Sequence, residues 1–145
     1  MTNNLNNFEK VISNIIAEHP DLTNNGFNSY KAFQQYKHQD NVEAEVNTSR
    51  SLLYSGEEPF RICLEHLGHL TQKCGNQRDE SYPLKREIEK ENGVYISNGI
   101  LIAAAMHLGL KVKRISKTSP NAIISIPKMI STQTELTGGT HAESK

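Results

Sequence analysis

Four residues with metal-binding side chains follow one another near the middle of the chain: Cys63, His66, His69 and Cys74. Zinc prefers thiolate and imidazole donors and needs four of them in a tetrahedron, each about 2.0–2.3 Å from the ion. The surrounding apolar residues predict one helix over 57–74, which separates the two cysteines by roughly 16 Å along its axis. Because they cannot then share an ion, Cys63, His66 and His69 are weak zinc candidates. The pattern favours cysteines that pack as small apolar side chains.

No other set of residues predicts catalysis. A thiol on an apolar helix face has a raised pKa and is a poor nucleophile. No glycine-rich loop follows a predicted strand, as a phosphate-binding loop would require. The acidic pairs and series, such as Glu57–Glu58, have the spacing of ordinary solvated helix positions. We therefore expect a protein that is not an enzyme and has no cofactor, so that its function lies in binding.

Charge is distributed unevenly along the chain, although it sums to zero. Residues 1–80 hold eleven acidic and seven basic residues, a net charge of −4, whereas residues 81–130 hold three acidic and eight basic residues, a net charge of +5. No acidic residue occurs between Glu91 and Glu135. This segregation predicts that the carboxyl-terminal half meets an anion such as nucleic acid, or that the two halves attract each other.

Hydrophobic periodicity predicts four helices in residues 1–80, which we expect to pack on or extend the core. In the first, apolar residues recur every three or four positions from Phe8 to Ile16. Asn6 or Asn7 would cap it, and Pro20 would end it. A polar loop over 21–28 follows. The other helices are predicted around Tyr30–Lys37, over 41–54 with Leu52 and Leu53 facing inward, and over 57–74 with a capping box from Ser55 to Glu58.

Residues 81–130 predict two more helices and two strands after an irregular connection. Gly93 separates the two helices, and Ser97 is a good N-cap for the second. After it, apolar and basic residues alternate as they do in a half-buried strand. The predicted elements are helices at 83–92 and 97–108, strands at 110–115 and 122–126, and a disordered tail at 131–145. The expected fold class is α+β, mainly α, with about five or six helices followed by one C-terminal antiparallel β-hairpin.

This order of elements over residues 81–127 resembles the winged helix-turn-helix superfamily. There, two helices joined by a short turn, often containing glycine, precede a β-hairpin called the wing. The segment from Tyr95 to Ala122 also looks like small mobile-element proteins that are uncharacterised, a likeness that implies no function. The resemblance to the winged helix makes residues 81–130 a winged-helix-like region.

The winged-helix resemblance implies that the helix starting at Ser97 enters the major groove of DNA. Ser97 and Asn98 would then bond base edges or phosphates, helped by the unpaired amides at that helix end. Basic residues nearby would contact phosphates: Lys111, Lys113, Arg114 and Lys117 on the strand and wing, and Lys85 and Arg86 on the preceding helix. Such contacts give affinity that falls steeply with salt and carry little sequence information.

The residues at 98–108 leave a second function open. A base-reading helix exposes Arg, Lys, Asn or Gln side chains, whereas this helix is almost wholly apolar. It would then be the centre of the fold, or present Ile102 and Met106 to a protein partner. The chain is thus expected to be a DNA-binding winged-helix regulator. Alternatively, it is a protein–protein interaction module or inhibitor without base readout, for example a mobile-element protein acting on host machinery. A homodimer is compatible with either function.

The longest apolar run, Ile100–Met106, is far shorter than the ~20 residues that cross a bilayer. The first seven residues lack the basic and then apolar pattern of a secretory signal. We therefore expect a cytoplasmic protein without membrane association, whose cysteines are reduced.

Overall fold

The computed structural model of the chain describes residues 2–28, 39–73 and 76–127. It is α+β and mainly helical, which confirms the predicted class. The helices are α1 (Thr2–Glu18), α2 (Gln39–Leu52), α3 (Glu57–Lys73), α4 (Ser81–Asn92) and α5 (Asn98–His107), with a 3-10 turn at Leu53–Ser55. The strands are β1 (Leu22–Thr23), β2 (Gly26–Phe27), β3 (Gln77–Glu80), β4 (Lys111–Arg114) and β5 (Ala122–Ile126). The helix predicted around Tyr30–Lys37, Cys74 and the tail at 131–145 lie outside the described residues.

The predicted apolar stripe of α1 faces the core. Phe8, Ile12 and Ile15 are buried, and the helix packs against α5 and the 3-10 turn. The predicted start at Asn6 or Asn7 is wrong by about one turn, because α1 begins at Thr2. Burial of these three side chains stabilises the fold by about 1.5–3 kcal/mol each.

Two details predicted for residues 50–58 are wrong, because the chain leaves α2 for the 3-10 turn. Leu53 is fully buried, but Leu52 is 49% exposed and does not face inward. The Ser55 hydroxyl donates to the Leu52 carbonyl oxygen at 2.8 Å and closes the turn. Ser55 therefore forms no capping box with Glu58, and α3 begins at Glu57.

The segment predicted as a polar loop, 21–28, contains a small hairpin instead. Strands β1 and β2 are antiparallel and pair Leu22 with Phe27. Both side chains are buried in the core, at 0% and 6% exposure. The Thr23 hydroxyl donates to the Gly26 carbonyl oxygen at 2.9 Å and narrows the turn. A short polar turn between two apolar residues is a hairpin signal that the loop prediction overlooked. We call residues 19–28 the amino-terminal hairpin.

The second sheet has three antiparallel strands in the order β3-β5-β4, rather than the two predicted. Central strand β5 alternates buried Ala122, Ile124 and Ile126 with half-buried residues. Strand β3, which had been predicted as an irregular connection, pairs with β5 from Gln77↔Ile126 to Glu80↔Ile123. All four of its residues are polar, so no hydrophobic alternation marks it as a strand. Backbone pairing with β5 forms it instead.

Helix α5 is the centre of the fold. Every residue from Asn98 to Ala105 is buried. The helix contacts α3 most extensively, and also α1, α4, β2, β4 and β5. Alanine at positions 103–105 lets these neighbours approach closely. Ile102 is fully buried and Met106 is partly buried, so Ile102 offers no surface to a protein partner.

The described helices include none that is both long and apolar enough to span a membrane.

Candidate functional site

Ser97 is the N-cap of α5, as the sequence predicts. Its hydroxyl oxygen accepts a hydrogen bond from the Ile100 amide at 3.0 Å, and the residue is 4% exposed. Such a bond satisfies one of the amides that a helix leaves unpaired at its start. The side chain that the winged-helix resemblance assigns to DNA thus caps its own helix inside the protein.

Asn98 joins three segments at the same helix end. Its side-chain amide Nδ2 donates to the Asn25 carbonyl oxygen at 3.1 Å and to Asn121 Oδ1 at 3.0 Å. A longer bond of 3.4 Å reaches the Pro120 carbonyl oxygen. The residue is 5% exposed. Asn98 therefore holds the amino-terminal hairpin and the turn before β5 against α5, and contact with a base would require both to move.

The backbones at this junction approach too closely for side chains. Gly99 N–H donates to the Asn24 carbonyl oxygen at 2.9 Å. A β-carbon on Gly99 would lie 1.9 Å from the Thr23 carbonyl oxygen, and one on Gly26 would lie 2.2 Å from the Pro120 carbonyl oxygen. Gly26 also has a φ of +114°, which L side chains rarely adopt. The two glycines thus let the hairpin cover the amino-terminal end of α5.

Arg114 is bound within the protein rather than free to contact phosphate. Its guanidinium donates to Asp21 Oδ2 at 3.4 Å and to the carbonyl oxygens of Asn28 at 3.3 Å and Lys117 at 3.2 Å. It also lies over the Phe27 ring, 5.1 Å from the centroid. This residue anchors β4 to the amino-terminal hairpin. Of the cations predicted to contact phosphate, Arg114 is the one that forms an ion pair with an acidic residue of the described part of residues 1–80, Asp21.

Lys85 is also engaged internally. It is 8% exposed, and its ammonium lies 3.0 Å from Glu89 Oε2 and 5.1 Å from the ring centroids of both Tyr82 and Tyr95. The same Glu89 oxygen accepts a hydrogen bond from the Ile96 amide at 3.0 Å. The cluster thus ties the link between α4 and α5 to the side of α4.

The pKa of Glu89 reflects this cluster. Partial burial raises it, but the bond from Ile96, the bond and charge of Lys85 and the charge of Arg86 outweigh burial, so the pKa lies below its ordinary value. A lowered pKa in the folded state means that Glu89 stabilises the fold above its unfolded pKa. That contribution is lost as the pH falls through the lowered folded value.

Replacement of Glu89 by glutamine is therefore expected to lower stability by about 1–3 kcal/mol at pH 7, since charge-assisted hydrogen bonds are lost. The difference between Glu89→Gln and the parent chain should shrink as the pH falls below the ordinary glutamate pKa of about 4.3, because the unfolded parent chain then takes up a proton that the folded chain does not. Urea unfolding at several pH values measures it. Glu87→Gln, which changes an exposed carboxylate on the same helix, is the matched control and should unfold as the parent does.

The remaining cations of the predicted set are exposed. Lys111, Lys113 and Lys117 form no ion pair with any residue in the described parts of the chain. Arg86 is exposed on α4 and has no acid within 4 Å among the same residues. The structure thus divides the predicted cations into Lys85 and Arg114, which hold the fold together, and four others that face solvent.

Strand β3 adds a cation that the sequence prediction missed. The register places Arg78, Ser125 and Lys111 side by side across the sheet, and Glu80, Ile123 and Lys113 in the next row. Arg78, Lys111 and Lys113 are exposed, and alternation puts all three on the sheet face away from the core. We call Arg78, Lys111, Lys113 and Lys117 the basic sheet-and-turn surface. Only recognition of β3 as a strand could have revealed Arg78.

The weak zinc candidates are not brought together. Cys63 is fully buried in the core, His69 is exposed, and His66 Nδ1 lies 3.6 Å from Glu91 Oε1. The described residues contain no group of three or more His, Cys, Asp or Glu that could hold a metal ion. Cys74, the fourth residue of the pattern, lies outside them.

Burial raises the pKa of the Cys63 thiol to about 12, so it is protonated at neutral pH. In a Cys74→Ser variant, we expect the remaining thiol to react with Ellman's reagent only as fast as the protein unfolds. Reaction in urea provides the control for reagent activity. Rapid stoichiometric reaction of the folded variant at pH 8 would contradict the buried position of Cys63.

Comparison of the chain with protein-family models, with curated proteins and with solved structures gives no match.

Proposed function

We propose that the chain is a non-enzymatic binding protein of winged helix-turn-helix layout. In this proposal it holds nucleic acid by the phosphates and does not read bases through α5. The observation that carries the proposal is the state of Lys111, Lys113 and Lys117, which are exposed and have no ion-pair partner in the described part of the chain. The sequence also allowed the acidic and basic halves of the chain to attract each other. The ion pair between Arg114 and Asp21 is such a contact.

The order of elements supports the winged-helix layout. From α3 onward the chain runs helix, strand, helix, helix, strand, strand. The last strand lies between the other two in the sheet. In this layout α4 and α5 are the helix-turn-helix pair, Gly93 ends the first of them in a left-handed conformation, and residues 115–121 are the wing.

The covering of α5 argues against base readout. A recognition helix must expose side chains to the major groove, but α5 is buried on all sides from Asn98 to Ala105. The amino-terminal hairpin lies on the end that the resemblance assigns to DNA, held by Asn98 and Gly99. With no side chain from Asn98 to Ala105 available to a base edge, specificity for a DNA sequence has no source in that part of the helix, which includes the end that the resemblance assigns to DNA.

Exposed lysines suit the phosphate backbone. Each cation that neutralises a phosphate releases a condensed counterion, so affinity falls linearly with salt on a double-logarithmic scale. Three to four contacts from the basic sheet-and-turn surface give a slope of about −2 to −4 for duplex DNA. Binding of this kind positions the protein without reading the sequence.

The test is the affinity for two 20-base-pair duplexes of unrelated sequence, measured by fluorescence anisotropy at several salt concentrations. We expect equal affinities, a slope of about −2 to −4, and binding that is lost at high salt. A Ser97→Ala variant that remains folded should bind both duplexes as the parent does. Absence of binding at low salt, or a strong preference for one duplex that Ser97→Ala abolishes, would contradict the proposal.

A further inference from the structure

Helix α4 carries a line of aromatic and cationic side chains on its solvent face. Tyr82, Arg86 and Lys90 are spaced four residues apart, which places them above one another on the helix. All three are exposed. Two acids adjoin this line: Glu87, which lies about a quarter of a turn further round and is also exposed, and Glu89, which follows Arg86 by three residues and is paired with Lys85. A long aromatic and basic line of this kind is not needed for packing, because α4 buries Leu84 and Ile88 on its opposite side.

A second exposed ring lies beside this line. Tyr95 follows α4 and is 65% exposed, and Tyr82 is 43% exposed. Each ring centroid is 5.1 Å from the Lys85 ammonium, so the two centroids are at most about 10 Å apart. The ammonium lies over both rings. Its ion pair with Glu89 holds the ammonium in this position. Both rings remain substantially exposed to solvent.

From these contacts we infer that Tyr82, Tyr95, Arg86 and Lys90 form a binding surface for single-stranded nucleic acid, with the rings stacking on unpaired bases and the cations meeting phosphates. Proteins that bind single strands combine cations along the backbone with aromatic rings on which successive bases stack. Lys85 carries no exposed charge of its own for this purpose. Its role is to hold both rings in place, which lowers the entropic cost of binding.

This surface follows the basic sheet-and-turn surface closely in sequence. Glu80, the last residue of β3, shares a row of the sheet with Lys113, and Tyr82 follows two residues later. The exposed carboxylate of Glu80 separates Lys113 from the start of α4. The inference rests on the proposed function, since it names the class of nucleic acid that the chain prefers.

The test compares a labelled 20-nucleotide oligothymidylate with an oligo(dA)·oligo(dT) duplex of the same length, at one low salt concentration. We expect tighter binding of the single strand, and quenching of the protein's tyrosine emission, which is measurable because the chain has no tryptophan. Tyr82→Leu and Tyr95→Leu should each weaken single-strand binding about tenfold, from the loss of one stacking platform. Their duplex affinity should stay unchanged.

Matched variants separate stacking from other effects. Tyr82→Phe and Tyr95→Phe keep the ring and should bind as the parent does. Tyr54→Leu removes a tyrosine of similar exposure, 38%, beside α1, and should also leave binding unchanged. Thermal melts establish that each variant is folded.

The outcomes distinguish this inference from the proposed function. If duplex and single strand bind equally and the leucine variants have no effect, the inference is wrong and phosphate binding stands. If neither nucleic acid binds at low salt, both are wrong. If the chain ignores both nucleic acids but binds an acidic polypeptide such as polyglutamate through Tyr82 and Tyr95, the surface serves a protein partner and the inference is overturned.

Discussion

Replacement of Gly99 by alanine is expected to destabilise the folded chain by about 3 kcal/mol or more. The new β-carbon would lie 1.9 Å from the Thr23 carbonyl oxygen and 2.9 Å from backbone atoms of Asn24. Neither neighbour is a flexible side-chain end that can turn away, so the hairpin must move off α5. Overpacking alone costs about 1–3 kcal/mol, and the bond from Gly99 N–H to the Asn24 carbonyl oxygen would be weakened as well.

Urea unfolding of Gly99→Ala beside Gly68→Ala measures this effect. Gly68 lies within α3, and nothing lies within 4 Å of the position its β-carbon would take. Alanine there should leave stability unchanged or raise it by up to about 1 kcal/mol through helix propensity. Equal stability of the two variants would mean that the hairpin does not press on the start of α5, and the argument against base readout would lose its structural basis.

Reversal of a single charge, Lys113→Glu or Lys117→Glu, is expected to lower the affinity for duplex DNA about tenfold at low salt. Each change removes one phosphate contact and adds repulsion. The salt slope should therefore become shallower by about 1. Stability should change little, because both side chains are exposed and neither forms an ion pair with a described residue.

Lys10→Glu is the matched control for these variants. Lys10 is an exposed lysine on α1, so the net charge changes equally but outside the basic sheet-and-turn surface. Its effect on affinity should be at most about twofold, through the general field of the protein. Equal losses in all three variants would show an effect of net charge alone and would contradict a localised phosphate-binding surface.

The sequence predicts those parts of the fold in which buried apolar residues recur at the regular spacing of a helix or a strand. The stripe of α1, the N-cap Ser97 and the helix-ending Gly93 were all visible because each rests on local chemistry. The sequence also signals that α5 is apolar, and the structure makes it the centre of the fold. Leu52 was predicted to face the core but is exposed. The chain changes from α to 3-10 geometry directly after this residue, and no residue type in the sequence signals that change.

Long-range pairing explains what the sequence could not predict. Strand β3 is polar throughout and exists because β5 offers backbone partners some 45 residues away. Likewise, the charges of Arg114 and Lys113 look equivalent in sequence, but only Arg114 meets Asp21 and Phe27. The position of the amino-terminal hairpin decides that Arg114 is bound within the protein, and this position depends on two glycines at a close backbone approach.

The aromatic cluster on α4 was missed for a related reason. Tyr82 and Tyr95 are thirteen residues apart, and the sequence gives no period that connects them. Both rings lie near the Lys85 ammonium, because Glu89 accepts a hydrogen bond from the Ile96 amide and holds the link after α4 against the side of that helix. Lys85 had been predicted to contact phosphate, yet its small exposed fraction of 8% leaves that role to Arg86 and Lys90.

Backbone amide NMR during titration with a duplex tests the proposed binding mode most directly. If the chain holds nucleic acid by its phosphates, the largest shifts at low salt will occur at Lys111–Lys113 and at Lys117. Amides of 98–105 in α5 should remain nearly unchanged. Large shifts centred on the first turn of α5, with β4 unaffected, would mean that this helix meets the DNA after all and would contradict the proposed mode of binding.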